Sequence, residues 1–353
     1  MTVYYYHTQD LNRIMREWKE GLFPGHFLYG ATHLDKHGIK VVCHKHKLIA
    51  NRFLLAAYVA MKVLLCREKF DAIYCSQFQG MEFIILLRSM GLFRKPIIVW
   101  QHPPLRKKSS WIKEAISKFF YKGIDHMFVF SKKILDESVA TGKTNPEKFS
   151  VCHWGPDLQF YDKIISNSDR KTRKGFISTG KEKRDYPTIL KAFIETQKPL
   201  EIYLNHTNGN INYDNLIKDI KITPNIDAKF INRLMPGDIA KRVDRAQCIV
   251  ICCMNTNYTV GLTTLVEAYA LGIPVITSHN LAYPIDVEKE NIGLNVEYGD
   301  LNGWINAINY IADNPDKAEQ MGLNARKIAE SRYNLEITAK EVAEVINSYS
   351  KNK

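Results

Sequence analysis

The chain has 353 residues, 45% hydrophobic and 24% charged, enough apolar material for full cores and too much length for one small domain, so disordered, collagenous and mini-protein classes are excluded. Its net charge of +12 lies entirely in the first half: residues 1–172 hold 27 Lys+Arg against 15 Asp+Glu, whereas residues 173–353 hold 22 of each. Such a one-sided balance seeks a polyanion, either nucleic acid or anionic lipid.

Short β-branched or aromatic runs alternate with longer amphipathic stretches, the pattern of βα units on parallel sheets. The start, MTVYYYHTQDLNR, lacks the n- and h-regions of a secretory signal, so a cytoplasmic protein is expected. Strands are predicted near Val3–His7, Ile39–Cys43, Ala72–Cys75, Pro96–Trp100, His126–Phe130 and Phe149–Cys152, with helices between them. The run Phe53–Cys66 has the length of a buried core helix and is too short to span a bilayer. His33 and His37 share helical spacing, but HLDKH lacks the acid of a zinc-protease motif and reads as solvated or helix-end histidines. His44 and His46 read as part of a basic loop. Between Arg88 and Lys133, 11 cations meet only Glu114 and Asp125. There Trp111, Ile112, Ile116, Phe119 and Phe120 read as core, while the interleaved lysines keep an interfacial reading open. The seven cysteines form no C-x-x-C pair and read as reduced structural thiols.

After WGPDLQFY, the polar stretch Ser166–Lys174 suits an interdomain linker. The alternation then restarts, with strands near Gly175–Ser178, Glu201–Leu204, Ile226–Phe230, Cys248–Cys252 and Pro274–Thr277, and the chain is helical after Pro315. In GFISTGKEKRDYP a strand is followed by Gly180, then Lys181, Lys183 and Arg184, then a helix from about Asp185. These cations either clamp a diphosphate or form a solvated turn. In NYTVGLTTLVEAYALGIPVIT a loop with Gly261 opens a helix ending at Gly272. Its N-terminal amides and dipole suit a phosphate. Glu267, further along, either accepts hydrogen bonds from a ribose diol or is a surface glutamate.

These two segments, in this order and 80 or so residues apart, resemble the donor-binding half of family 4 glycosyltransferases, whose GT-B fold is two facing Rossmann-like lobes. The family reads G-R, then a lysine eight positions before an alanine. Here Lys181 follows Gly180 and Arg184 stands eight before Ala192, so the two cations have exchanged identities. Of the family's two glutamates, Glu267 matches the ribose-binding one, and Thr259 takes the place of the one facing the donor sugar. KPIIVWQHPP places His102 where the family has a histidine beside the reaction centre. Pro24 and Gly25 stand where paired glycines are common, VCHWGPDLQFY resembles the end of the first lobe, and FINRLMPG makes Arg233 and Leu234 candidates near the base.

The resemblance implies an α/β protein with an acceptor-binding domain at 1–160, a donor-binding domain at 161–333 and a C-terminal helix at 334–353 packing back toward the first. It implies transfer of a sugar from a nucleotide-diphosphate donor to a hydroxyl acceptor with retention. Lys181, Arg184 and the amides of Gly261 and Leu262 would hold the diphosphate, Gly180 would border the nucleotide, and His102 would act at the reaction centre. No Asp-x-Asp motif is present, so no metal and no cofactor besides the donor is expected. Lys107, Lys108, Lys113, Lys118 and Lys122 with Trp111 and Phe119 suit docking on an anionic membrane, the inner face if the protein is cytoplasmic, and with it a lipid-linked acceptor. A sugar-nucleotide epimerase of the same fold would share the phosphate site but needs acid and base groups not identifiable here. A nucleic-acid-binding protein would share the positive charge but lacks a recognisable module, so no nucleic acid is expected.

Overall fold

The computed structural model describes residues 1–170, 173–230 and 235–349. Chain contacts divide it into two units: Met1–Gly21, Gly25–Trp154 and the chain from Leu335 form the first, and Leu22–Pro24 with Gly155–Asn334 the second.

The first unit is a six-stranded parallel sheet of β1 (Thr2–Tyr6), β2 (Lys40–Cys43), β3 (Ala72–Cys75), β4 (Ile97–Trp100), β5 (His126–Val129) and β6 (Phe149–Val151). Their order is β2-β1-β3-β4-β5-β6. Helices α1 (Leu11–Lys19), α2 (Arg52–Leu64), α3 (Glu82–Ser89), α4 (Trp111–Lys122) and α5 (Lys132–Val139) connect them. AIYC, IIVW and HMFV of β3, β4 and β5 are buried at every position, as continuous apolar runs must be when helices cover both faces of a sheet. Asp10 and Asn51 cap α1 and α2 through their side chains.

The second unit opens with α6 (Leu158–Ile165), followed by β7 (Phe176–Ser178), α7 (Tyr186–Thr196) and β8 (Leu200–Leu204). A small hairpin of β9 (Thr207–Asn208) and β10 (Ile211–Asn212) then leads to α8 (Tyr213–Ile217), β11 (Ile226–Phe230) and α9 (Pro236–Val243). The remaining elements are β12 (Cys248–Ile251), α10 (Leu262–Leu271), β13 (Val275–Ser278), β14 (Gly293–Val296), α11 (Leu301–Asp313) and α12 (Pro315–Ser331). The sheet, also parallel, has the order β11-β8-β7-β12-β13-β14. Strand order reverses between β1 and β3 in one sheet and between β7 and β12 in the other, and such switch points open crevices at the carboxyl ends of the strands. The last helix, α13 (Leu335–Ser348), belongs to the first unit.

The units divide after Trp154 rather than after residue 160, because Asp157 caps α6 as one helix through the Phe160 amide and α6 buries Phe160, Tyr161 and Ile164. The polar stretch behind it is not an interdomain linker, because it lies within the second unit, where Arg170 and Arg173 pair with the buried Asp244. β14, in GLNV, was not expected, since Gly and Asn are poor strand formers. The helix in Phe53–Cys66 is not a core helix. It buries Ala56, Val59, Ala60 and Val63 and exposes Phe53, Leu54, Met61, Leu64 and Leu65. His33 is buried rather than solvated, with Nε2 3.2 Å from Glu336, and His44, in the loop after β2, is buried as well, its Nδ1 in a hydrogen bond with the Tyr4 hydroxyl at 2.7 Å. All seven cysteines are free.

Candidate functional site

At the switch point of the second unit, the segment after β7 folds under itself. Gly180 adopts φ +97°, and a Cβ there would lie 2.0 Å from the Arg184 guanidinium, so only glycine lets the loop close over that side chain. Arg184 is 2% exposed, which removes the solvated-turn reading for this residue. Its Nε and Nη2 donate to the Thr179 carbonyl at 3.1 and 3.0 Å. Nη2 also donates to Thr264 Oγ1 at 3.1 Å and Nη1 to Cys253 Sγ at 2.8 Å. Burial pushes the Cys253 thiol up despite the adjacent Arg184, so it is neutral and no counter-ion. Among the described residues no carboxylate pairs with Arg184.

Thr264 stands in the first turn of α10. Gly261 is its N-cap, with φ +93° and no capping side chain, so no side chain satisfies the amides of Thr263 and Thr264 in the first turn, which are left to a ligand or water. A Cβ at Gly261 would lie 2.4 Å from the Tyr283 hydroxyl and 2.6 Å from Ile251 Cγ2. The two ends of α10 therefore differ. At its C-terminus Arg173 donates to the carbonyls of Leu271 and Gly272 at 2.9 and 3.0 Å, the favourable place for a cation. At its N-terminus a buried cation meets the positive end of the dipole, an arrangement that an anion would complete.

The other expected donor residues fall into distinct classes. Lys181 is exposed, and its carbonyl accepts the Tyr213 hydroxyl at 3.3 Å. The Leu262 amide is not available to a phosphate, because it already donates to the Thr259 carbonyl at 3.1 Å; the amides of Thr263 and Thr264 follow it in the open turn. Thr259 itself is half-buried in that loop. Glu267 is no plain surface glutamate: burial pushes its carboxyl up to about 8, opposed by a hydrogen bond from Tyr161. Arg233 and Leu234 lie outside the described residues. The sequence reading missed Thr179, Cys253, Tyr283 and Tyr161, which take part only through pairings between distant segments. It also missed Glu182, whose carboxylate accepts the Tyr258 hydroxyl at 2.6 Å and ties the two donor loops together.

His102 and Gly25 belong to the first unit. His102 Nε2 lies 3.0 Å from the Ser76 carbonyl, and its ring meets Tyr29 and Phe130 edge-on at 5.8 and 5.2 Å. Gly25 begins a buried 3₁₀ turn, Gly25–Leu28. The core reading of α4 fails: the helix buries no residue. Trp111 is 80% exposed, and Ile112, Ile116 and Phe119 are also exposed, as are Lys107, Lys108, Lys113, Lys118 and Lys122. No described helix is long and apolar enough to cross a membrane.

Residues 167–328 match the family model described as glycosyl transferases group 1. A D-inositol 3-phosphate glycosyltransferase of Corynebacterium kroppenstedtii is 28% identical over 133 residues, which is 38% of this chain and 28% of that protein's length. Among solved structures, Anabaena Alr3699/HepE in complex with UDP aligns with TM-score 0.67 at 13% identity, over 99% of this chain and 100% of that one. WaaG, described as a glycosyltransferase involved in lipopolysaccharide biosynthesis, aligns with TM-score 0.63 at 12% identity, over 98% and 99% of the two chains. The fold is thus GT-B, and the resemblance to glycosyl transferases of group 1 stands.

Proposed function

We propose that this chain is a glycosyltransferase that moves a sugar from a nucleoside-diphosphate sugar to a hydroxyl acceptor with retention. The observation that carries the reading is Arg184, a buried guanidinium that pairs with no carboxylate among the described residues, at the uncapped N-terminus of α10. An unpaired buried charge is costly, on the order of 3–5 kcal/mol when a partner is removed, and a diphosphate relieves it. The group 1 match over residues 167–328 covers this site, and HepE, whose complex holds UDP, makes UDP the first nucleotide to test.

In the reaction the bond from the anomeric carbon to the diphosphate breaks and one to the acceptor oxygen forms. The departing phosphate carries the developing charge and takes the acceptor's proton. Arg184, the amides of Thr263 and Thr264, and Lys181 from the exposed turn stabilise that charge before it appears, which is how a preorganised site lowers a barrier. These cations and amides replace a divalent metal, so turnover persists in excess chelator; loss rescued by metal would contradict this. Glu267 receives the ribose diol, Gly180 borders the nucleotide and Thr259 the sugar. His102, held by Ser76, orients the acceptor: His102→Ala lowers turnover about 10²-fold with UDP affinity unchanged. The central test is calorimetric titration with UDP, ADP and GDP. Binding of none of them would overturn the reading.

The acceptor is lipid-linked, and the first unit docks peripherally on an anionic membrane, the cytoplasmic face for a protein of this charge. Support comes from the helix layer of α2, α3 and α4: exposed Phe53, Leu54, Met61, Met90, Leu92 and Trp111 lie among the cations. The two acids of the segment are spent inside the fold, Glu114 on Lys143 at 2.6 Å and Asp125 on Arg88 at 2.7 Å. Each outward lysine near an acidic leaflet adds about 1 kcal/mol. Sedimentation with acidic but not neutral vesicles, lost at high salt as the Debye length contracts, is the expected result; equal recovery in the supernatant with both would refute docking.

A further inference from the structure

Helix α6 is pinned to α10 at two consecutive residues. Asp162 accepts Arg326 of α12 at 2.6 Å, and the same guanidinium donates to the Ala270 carbonyl of α10 at 2.7 Å. One residue earlier, Tyr161 is 2% exposed, and its hydroxyl donates to the Glu267 carboxylate of α10. Asp157, which caps α6 through the Phe160 amide, fixes the start of the same turn. The Tyr161 hydroxyl is thus held in place from both sides along its own helix.

No ionic partner competes with that hydroxyl. α10 packs on α6, α12 and β12. From α6, Asp157 acts on Tyr161 and not on Glu267. From α12, Arg326 is taken by Asp162, Glu330 and the Ala270 carbonyl. β12, in CIVI, carries no ionised group, since burial keeps the Cys248 thiol neutral. Among the described residues Tyr161 is therefore the group that favours the charged form of Glu267 against burial. A carboxylate has about four lone-pair sites, and one tyrosine hydroxyl fills one of them. Glu267 is only half-buried, so a ligand still reaches the rest, and a vicinal diol brings two donors to a carboxylate that lacks them.

Resting on the glycosyltransferase reading, we propose that Tyr161 is a positioning residue of the nucleotide site: its hydroxyl orients the Glu267 carboxylate and leaves the remaining lone pairs to the ribose diol. Tyr161 acts through Glu267 rather than on the substrate. Removing the hydroxyl takes away a donor to the charged form, so the carboxyl rises further above about 8, and the diol meets an acceptor that is both less fixed and less often ionised.

The test compares the full chain with Tyr161→Phe, which keeps the buried ring and deletes the hydroxyl alone. UDP affinity at pH 7 falls about tenfold, the scale of one hydrogen bond to a charged group, and its rise with pH is displaced to higher pH. The preference for UDP over 2′-deoxy-UDP shrinks in the variant, because the lost alignment serves the diol. In the Glu267→Gln background, Tyr161→Phe leaves that preference as it is, since the two residues act as one unit. Without nucleotide, urea denaturation across pH shows the range over which Glu267 lowers stability extending upward in Tyr161→Phe. Equal loss of UDP and 2′-deoxy-UDP affinity with unmoved pH profiles would make Tyr161 a packing residue and overturn the proposal. If the wild type binds none of UDP, ADP and GDP, the donor reading falls and the ribose role with it, while the nucleotide-free pH range still decides whether Tyr161 governs Glu267.

Discussion

Helices α10 and α4 each follow a strand at the centre of a parallel sheet, and both carry large apolar residues, yet their fates are opposite. α10 leaves only Thr263 exposed and spends its apolar surface on packing, so what it offers to ligands is its uncapped N-terminus with Arg184 below. α4 buries none of its residues and offers its whole outer side. The contrast shows that apolar content does not by itself mark core. A helix enclosed on all sides contributes an end, whereas one lying on the outside contributes a face.

Gly261→Val tests the enclosed side of that contrast most severely. The new side chain meets Tyr283 and Ile251 at a residue with φ +93°. Overpacking of about 1–3 kcal/mol adds to left-handed strain of about 1–2 kcal/mol. Urea denaturation is expected to show a loss of about 3 kcal/mol, and a loss below about 1 kcal/mol would mean that the α10 terminus is not packed as described.

Arg184→Gln separates ligand binding from folding at the same terminus. UDP affinity falls about 10²-fold, the scale of about 1.5–3 kcal/mol for hydrogen bonds to a charged group, while stability without nucleotide holds or rises because an unpaired buried charge is gone. Destabilisation with intact UDP affinity would make Arg184 a packing residue.

Glu267 adds a pH signature to α10. Its carboxyl is raised from about 4.5 to about 8 by burial, so between those values the folded state holds a proton that the unfolded state has released. Stability therefore falls as pH rises from about 4.5 to about 8 and then levels, and Glu267→Gln flattens that slope. A ribose diol favours the ionised carboxylate, so UDP binding at pH 7 releases up to about one proton. Calorimetry in buffers of different ionisation enthalpy reads this directly; no buffer dependence would remove Glu267 from the ribose.

Trp111→Ala gives the smallest effect on folding, within about 0.5 kcal/mol because the side chain is 80% exposed, with a several-fold drop in recovery on acidic vesicles. A loss of 2 kcal/mol or more in thermal or urea unfolding would return α4 to the core and end the comparison.

The two alternating β/α halves, every strand of the two parallel sheets except β14, and the order of the donor segments were legible in the sequence, because parallel strands buried on both faces write themselves as apolar runs and helix starts carry caps such as Asp10, Asn51 and Asp185. Local chemistry sufficed there: neighbours in sequence are the interaction partners. What the sequence left open were the fates of single side chains. Lys181 and Arg184 stand three apart in one turn, and only the fold buries one beneath Gly180, against Thr264 eighty residues away, while leaving the other in solvent. Phe53 and Trp111 have the periodicity of core residues, and only the docking of α2 and α4 on their sheet turns them outward. Glu267 was likewise undecided until tertiary packing removed water from it. Burial is set by segments that meet from far apart in the chain, and it is burial that turns a charge into a site.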